Sequence, residues 1–252
     1  MTIVVCVKQV PTREWQPRVS DAGTWIRDGD ASWELNEPDA YALEEALRLR
    51  ERHGGEVVVC TVGPARAQQV LREALARGAD RAVHVETEAS GLDPVSTADV
   101  LAEALSGESL GLILTGLQSD DMGSGATGIV LAERLGMPHA SIVMEVQVDG
   151  GRVRVKRELE GGWFQWVAMP MPALLTVQSG INQLRYATLK GIMAAKKKEI
   201  RKVSPTGASR TGIEVLSLEA PQRQKQTHQI TGSAAEVASE LVRRLREEAR
   251  VL

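Results

Sequence analysis

The residues best placed to do chemistry fall in one loop, GLQSDDMGSGATG over residues 116–128. It lies between an apolar run, Leu112-Ile113-Leu114, and a stretch that resumes at Thr127 with helical spacing. That order predicts strand, loop, helix. In such a unit the loop sits at the carboxyl end of the strand, and the first N–H groups of the helix point into it without intrahelical partners. A phosphate placed there gains several donors and the positive end of the helix dipole, a contribution of ~0.3–1 kcal/mol for an exposed charge. Gly123, Gly125 and Gly128 spell a literal G-x-G-x-x-G, which lets backbone approach a ligand closely. The dinucleotide fingerprint also requires an acid about 20 residues further on, at the end of the next strand. Asp149 has that spacing but belongs to Asp149-Gly150-Gly151, a hairpin-turn signal, so the NAD pattern lacks its second half.

Other chemistries find little support. The chain contains no nucleophile–base pair or acid pair at useful spacing, so no catalytic residue is expected. His53, His84, His139 and His228 are scattered with no second ligand at metal spacing, so no metal site is expected. Cys6 and Cys60 lie inside apolar, strand-like runs, where a thiol behaves as a small buried hydrophobe. A net charge of -3 argues against a dedicated nucleic-acid surface, which would need a basic excess. The opening MTIVVCVKQVP is too short and too β-branched for a signal peptide or membrane span, and a cytoplasmic location is expected.

The elements that must position the loop follow from the patterning. With 252 residues, 43% hydrophobic and 25% charged, the chain suits one large or two small domains. Ile3 to Val7, Val57 to Val62 and Ala82 to Val85 read as buried strands. Between them run helices that start at Pro38, after Asn36 or Glu37, and at Pro64, and end at Gly54-Gly55 and Gly78. Leu43, Ala46 and Leu47 face inward from the first, with Glu44 and Arg48 as an i,i+4 pair. Ala67, Val70, Leu71, Ala74 and Leu75 do so from the second. Asp93-Pro94 caps a third helix. Alternating strands and helices imply a parallel sheet covered on both faces, with ligands beyond its carboxyl edge near Cys6 to Lys8, Val62-Gly63 and Gly116 to Gln118.

Two regions depart from this rhythm. Lys8 to Pro38 has no sustained period, and its Trp15, Trp25 and Trp33 are expected to fold the excursion onto the core or to stack on a ring. Ile142 to Val148, Arg152 to Arg157 and Trp163 to Ala168 read as strands joined by the tight turns Asp149-Gly150-Gly151 and Glu160-Gly161-Gly162. Ala173 to Val177 reads as the last strand. Residues 201–232 are polar and broken. A final helix opens on a capping box, Ser233 and Glu236, with Val237, Leu241, Leu245 and Ala249 on one face. The expected division is an α/β nucleotide-binding domain over 1–200 and a C-terminal arm and helix over 201–252 that docks on a partner subunit.

Residues 155–176, VKRELEGGWFQWVAMPMPALLT, resemble the signature of the electron transfer flavoprotein beta subunit: basic residue, acid, double glycine, hydrophobic strand, then Pro-x-hydrophobic-hydrophobic-Thr. The segments RYATL at 185–189 and IMAAKKK at 192–198 resemble that family's docking segment. VCVKQV at 5–10, Asn36 with its helix, TVGP at 61–64, ALARGADR at 74–81 and Pro221-Gln222-Arg223 extend the likeness nearly end to end.

The resemblance implies a Rossmann-like adenine-nucleotide-binding α/β domain with an antiparallel hairpin extension, in a heterodimer. The alpha subunit holds the redox-active FAD and this subunit holds a structural AMP. Electrons pass from acyl-CoA dehydrogenase-type donors to a quinone oxidoreductase, with this chain a non-catalytic carrier subunit. Carried over by position, the AMP contacts fall on Cys6, Asn36, Val62, Gly116, Gln118, Asp121, Gly123, Ser124, Gly125, Ala126 and Thr127. Where many members carry an Asn-Gln pair, this chain has Gly125-Ala126. Arg185, Tyr186 and the anchor Leu189 fall in the docking segment. Arg157 and Glu158 fall at the flavin-side interface, and Lys196, Lys197 and Lys198 form a basic face that can complement an acidic partner. Two alternatives stay open: an FAD-binding subunit of an electron-bifurcating flavoprotein, and a stand-alone adenine-nucleotide-binding regulator.

Overall fold

The computed structural model describes residues 1–87, 92–205, 212–221 and 227–252. Strand β1 (Thr2–Cys6) opens the chain and is buried from Ile3 onward. The excursion that follows resolves into short strands β2 (Gln9–Pro11), β3 (Arg18–Val19), β4 (Ile26–Arg27) and β5 (Trp33–Leu35), paired β2 with β5 and β3 with β4. Its tryptophans are half-buried. Trp33 lies under the Arg66 guanidinium at 3.8 Å, and Trp15 donates to Asp30 at 3.1 Å.

The α/β pattern then runs through α1 (Glu37–His53), β6 (Glu56–Gly63), α2 (Gln68–Arg77), β7 (Arg81–Glu86), α3 (Pro94–Leu105), β8 (Leu110–Gly116) and α4 (Thr127–Arg134). The proline starts behave as their missing N–H groups dictate, and Asp93 caps α3 through the Ser96 N–H at 2.7 Å. An antiparallel extension follows, with β9 (His139–Asp149), β10 (Arg152–Glu158) and β11 (Phe164–Pro170). The chain returns as β12 (Ala173–Val177), α5 (Leu189–Ala195), β13 (Ile200–Val203) and α6 (Ala234–Glu247).

Among the described residues these strands form a nine-stranded sheet, ordered β11-β10-β9-β12-β8-β1-β6-β7-β13. From β9 to β13 every neighbour is parallel. Because side chains alternate along a strand, Ile3, Val5, Val57 and Leu114 pack with Leu43, Leu47 and Leu71 of α1 and α2. Val4, Val58, Val83 and Ile113 pack with Leu101, Leu105 and Leu131 of α3 and α4 on the other face. Both faces are covered, which is why the strands read as continuous apolar runs. From β1 the chain steps to β6 and β7 on one side, and later to β8 and β12 on the other. The carboxyl ends of β1 and β8 therefore flank a topological switch point, where open α/β sheets bind ligands.

One expectation needs correction. Ala173–Val177 is not the last strand, since β13 adds a parallel edge beside β7. Its Arg201 and Lys202 point outward to Glu108 and Glu86, so no apolar run announced it. Arg152 and Arg154 are exposed while Val153 and Val155 are buried, as the alternation predicts. The α6 capping box is present, yet none of its residues is buried. Gln222 and Arg223 lie outside the described residues.

Gly128 shows what the sheet demands of its covering helix. A Cβ there would stand 2.7 Å from Thr115 Oγ1 and 2.8 Å from Thr176 Cγ2, so α4 approaches β8 and β12 through a glycine. Gly128→Ala should destabilise the chain by about 1–3 kcal/mol through overpacking, read as a lower denaturant midpoint at unchanged m-value.

Candidate functional site

The crevice at the switch point is held together by the first turn of α1. Asp39 is 6% exposed and accepts the Lys8 N–H at 2.8 Å and the Gly116 N–H at 2.8 Å. One carboxylate thus ties the end of β1 to the end of β8. Burial pushes it up to about 6, against the hydrogen bonds from Lys8 and Gly116. Gly116 is sterically required, because a Cβ would come within 2.6 Å of Pro38 Cβ. Asn36, 1% exposed, stands at the α1 N-cap without capping it. Its side chain accepts the Asp120 N–H at 3.0 Å and donates to the Gln118 carbonyl at 3.1 Å, fixing the start of the glycine loop.

Lys8 closes the same loop from the other side. Its Nζ donates to both Asp121 oxygens at 2.7 and 2.8 Å and to Ser119 Oγ at 3.2 Å. Burial pushes the Asp121 carboxyl up, but the Lys8 charge and hydrogen bond outweigh it and hold it below the usual range. Gly123 and Gly125 take the left-handed φ values of 64° and 62° that turn the chain into α4. No side chain caps that helix, and Ala126 stands at the cap position. Cys6 and Val62 face the side of the sheet that α4 covers. Cys6, Asn36, Val62, Gly116, Gln118, Asp121 and residues 123–127 therefore converge on one edge, with an uncapped helix start among them. Such an arrangement can take an anion on backbone N–H groups.

A second group of residues predicted from sequence lies elsewhere. Tyr186 is 93% exposed and Leu189 78% exposed, on α5 and the turn before it. Thr188 caps α5 by accepting the Gly191 N–H at 3.0 Å. Arg185 is engaged by Glu44 at 2.7 Å and Glu51 at 2.6 Å. The basic face expected from three lysines is reduced, because Lys198 turns inward and its Nζ donates to the Leu75 carbonyl at 3.3 Å and to that of Ala79. Lys196 and Lys197 stay exposed. Arg157 and Glu158 end β10, which β9 and β12 separate from β8, and so stand apart from the crevice. Arg157 donates to Ser141 Oγ at 3.2 Å.

Comparison with known proteins identifies the family. A family model for the electron transfer flavoprotein domain matches residues 24–208. The electron transfer flavoprotein subunit beta of Methylophilus methylotrophus is 36% identical over 261 residues, covering 98% of each chain. The mitochondrial subunit beta of Oryza sativa subsp. japonica is 37% identical over 259 residues, covering 100% of both chains. The human subunit beta is 34% identical over 258 residues, covering 100% of this chain and 99% of its own.

The chain belongs to the electron transfer flavoprotein family.

The family implies an alpha-subunit partner and a flavin in the heterodimer, and makes this chain part of an electron carrier. Its relatives include mitochondrial and bacterial forms, and among the described residues no helix is long and apolar enough to cross a membrane. The beta-subunit fold also carries residues that sequence reasoning passed over. Asp39 reads as an ordinary acid in a helix first turn, where it would favour the dipole. Lys8 reads as the polar end of a strand. Only the closure of the sheet shows that the two pin the glycine loop from opposite sides. Asp39→Ala should leave the Lys8 and Gly116 N–H groups buried without an acceptor, at about 1–3 kcal/mol each. Chemical denaturation of the purified protein checks the loss.

Proposed function

We propose that this chain is the AMP-holding, dehydrogenase-docking beta subunit of a heterodimeric electron transfer flavoprotein. The observation that carries the proposal is the uncapped start of α4, fed by a glycine turn and aimed into the crevice between β1 and β8. The donor set suits a nucleotide monophosphate. N–H groups over residues 123–127 and the hydroxyls of Ser124 and Thr127 would take phosphate oxygens, while Cys6 and Val62 offer the apolar wall an adenosine needs. At Gly125 and Ala126 only backbone is available. Asn36 and Asp121 are already committed to the loop and to Lys8, so their part is to hold the phosphate cradle in shape.

In this reading the electrons travel on the FAD of the alpha subunit, which supplies the redox chemistry when bound. This chain binds, orients and presents. Tyr186 and Leu189 meet an acyl-CoA dehydrogenase-type donor, Arg157 and Glu158 face the flavin-bearing partner, and the acceptor is a quinone oxidoreductase. An exposed leucine that enters a partner pocket removes apolar surface worth roughly 1.5–3 kcal/mol from water.

Two measurements test this. The chain is co-expressed with its alpha subunit, and the purified complex is denatured and its cofactors quantified. One FAD and one AMP per heterodimer are expected. Two FAD without AMP would instead make the crevice a second flavin site and the chain a subunit of a bifurcating enzyme. Leu189→Ala should lower kcat/KM with a dehydrogenase donor by about tenfold or more, at unchanged thermal stability. Unaltered donor kinetics would remove Leu189 from the docking surface.

A further inference from the structure

The exposed pair Tyr186 and Leu189 is mounted on an unusually charged support. The Arg185 guanidinium donates from Nε and Nη2 to Glu44 at 2.7 and 3.2 Å, and from Nη1 and Nη2 to Glu51 at 2.6 and 3.3 Å. Its planar fork thus locks onto two carboxylates of α1. The Glu44 side chain is only 4% exposed, and it also accepts from Arg48 Nε at 2.6 Å. Arg48 reaches on to the Gln183 carbonyl at 2.8 Å, and Asn182 donates to the Tyr41 carbonyl at 3.1 Å. The far side is fixed as well. A Cβ on Gly191 would sit 2.3 Å from the Ala76 carbonyl oxygen, and Arg72 donates to the Ala195 and Lys198 carbonyls at 2.6 and 2.8 Å.

A carboxylate buried on a helix is poorly explained by stability, because its desolvation offsets much of what its partners return. It does fix geometry. Residues 182–185 have no regular structure of their own, and α1 side chains hold them on one side while α2 seats α5 on the other. We propose that Glu44, acting through Arg185, is a positioning residue that holds Tyr186 and Leu189 in the orientation a dehydrogenase donor meets. Arg185 is then part of the mount, and the contact surface is the exposed apolar set of Tyr186, Leu189 and Met193. The inference rests on the reading of this segment as the docking surface. A prearranged surface binds without the ordering cost that a loose one incurs, so loss of the mount appears in affinity.

The test uses the intact heterodimer with Glu44→Gln, which keeps the volume and removes the charge, and with Arg185→Lys, which keeps the charge and removes the fork. Each should raise KM for an acyl-CoA dehydrogenase donor about three- to tenfold with kcat unchanged. Each should also speed amide exchange over residues 183–190 in the free heterodimer, while dithionite reduction of the flavin stays the same. If Glu44→Gln folds poorly, Arg185→Lys decides. A KM or an exchange rate that does not move overturns the positioning role, provided Leu189→Ala raises KM in parallel. If Leu189→Ala also leaves KM unchanged, the docking reading itself falls.

Discussion

A parallel sheet that reverses its strand order opens a gap between its two central strands, and in this protein one buried carboxylate spans it. Asp39 accepts the first free N–H after β1 and the last N–H of β8. At these two points the chain leaves the sheet toward opposite faces, so neither N–H takes a ladder partner. Without a common acceptor both would be buried polar groups without partners, or the crevice would fill with water. The bridge sets the spacing of the crevice walls, and Asn36 and Lys8 then have fixed points from which to hold the glycine loop.

How much of this was legible follows from the range of each signal. The central strands declared themselves because both faces are buried, so Ile3 to Val7 and Val57 to Val62 had to be apolar without interruption. Helix starts were legible because Pro38 and Asp93-Pro94 act within a single turn, whereas Pro64 precedes a short 3-10 turn, Ala65–Ala67, and α2 begins only at Gln68. The glycine turn was legible for the same reason, since Gly123 and Gly125 answer a local demand for positive φ. What stayed hidden was set by distant contacts. β13 is an edge strand with Arg201 and Lys202 paired outward, so it lacks the pattern that marks a buried strand. Lys198 looked like one of three solvated lysines, yet the open carbonyls at the end of α2 draw it in. The excursion over residues 8–38 is held against α2's approach by the cation–π contact of Trp33 with Arg66, a partner its own sequence does not announce.

The two candidate surfaces share one support. The buried residues of α1 include three carboxylates, Asp39, Glu44 and Glu45, amid an otherwise apolar face of alanines and leucines. Each has donors from segments distant in sequence. Asp39 takes Lys8 and Gly116, Glu44 takes Arg185, and Glu45 takes Asn182. The helix therefore ties the crevice between β1 and β8 at its first turn and the exposed segment around Leu189 further along. At a rise of ~1.5 Å per residue, Asp39 and Glu51 stand roughly 18 Å apart on one rigid rod.

That layout explains why charges occupy positions where leucine would serve the core. An apolar side chain at residue 44 would pack against its neighbours and avoid the desolvation of a buried ion, so net stability would change little or improve. It would not select one placement of residues 182–185, because hydrophobic contact is non-directional and accommodates several. A carboxylate facing a guanidinium fork accepts only a narrow range of angles. The same reasoning applies to Asp39, whose two oxygens specify two N–H directions at once. Placing directional acceptors along one helix transfers the rigidity of the sheet to loops that have none, so both the crevice and the segment around Leu189 are held in one placement.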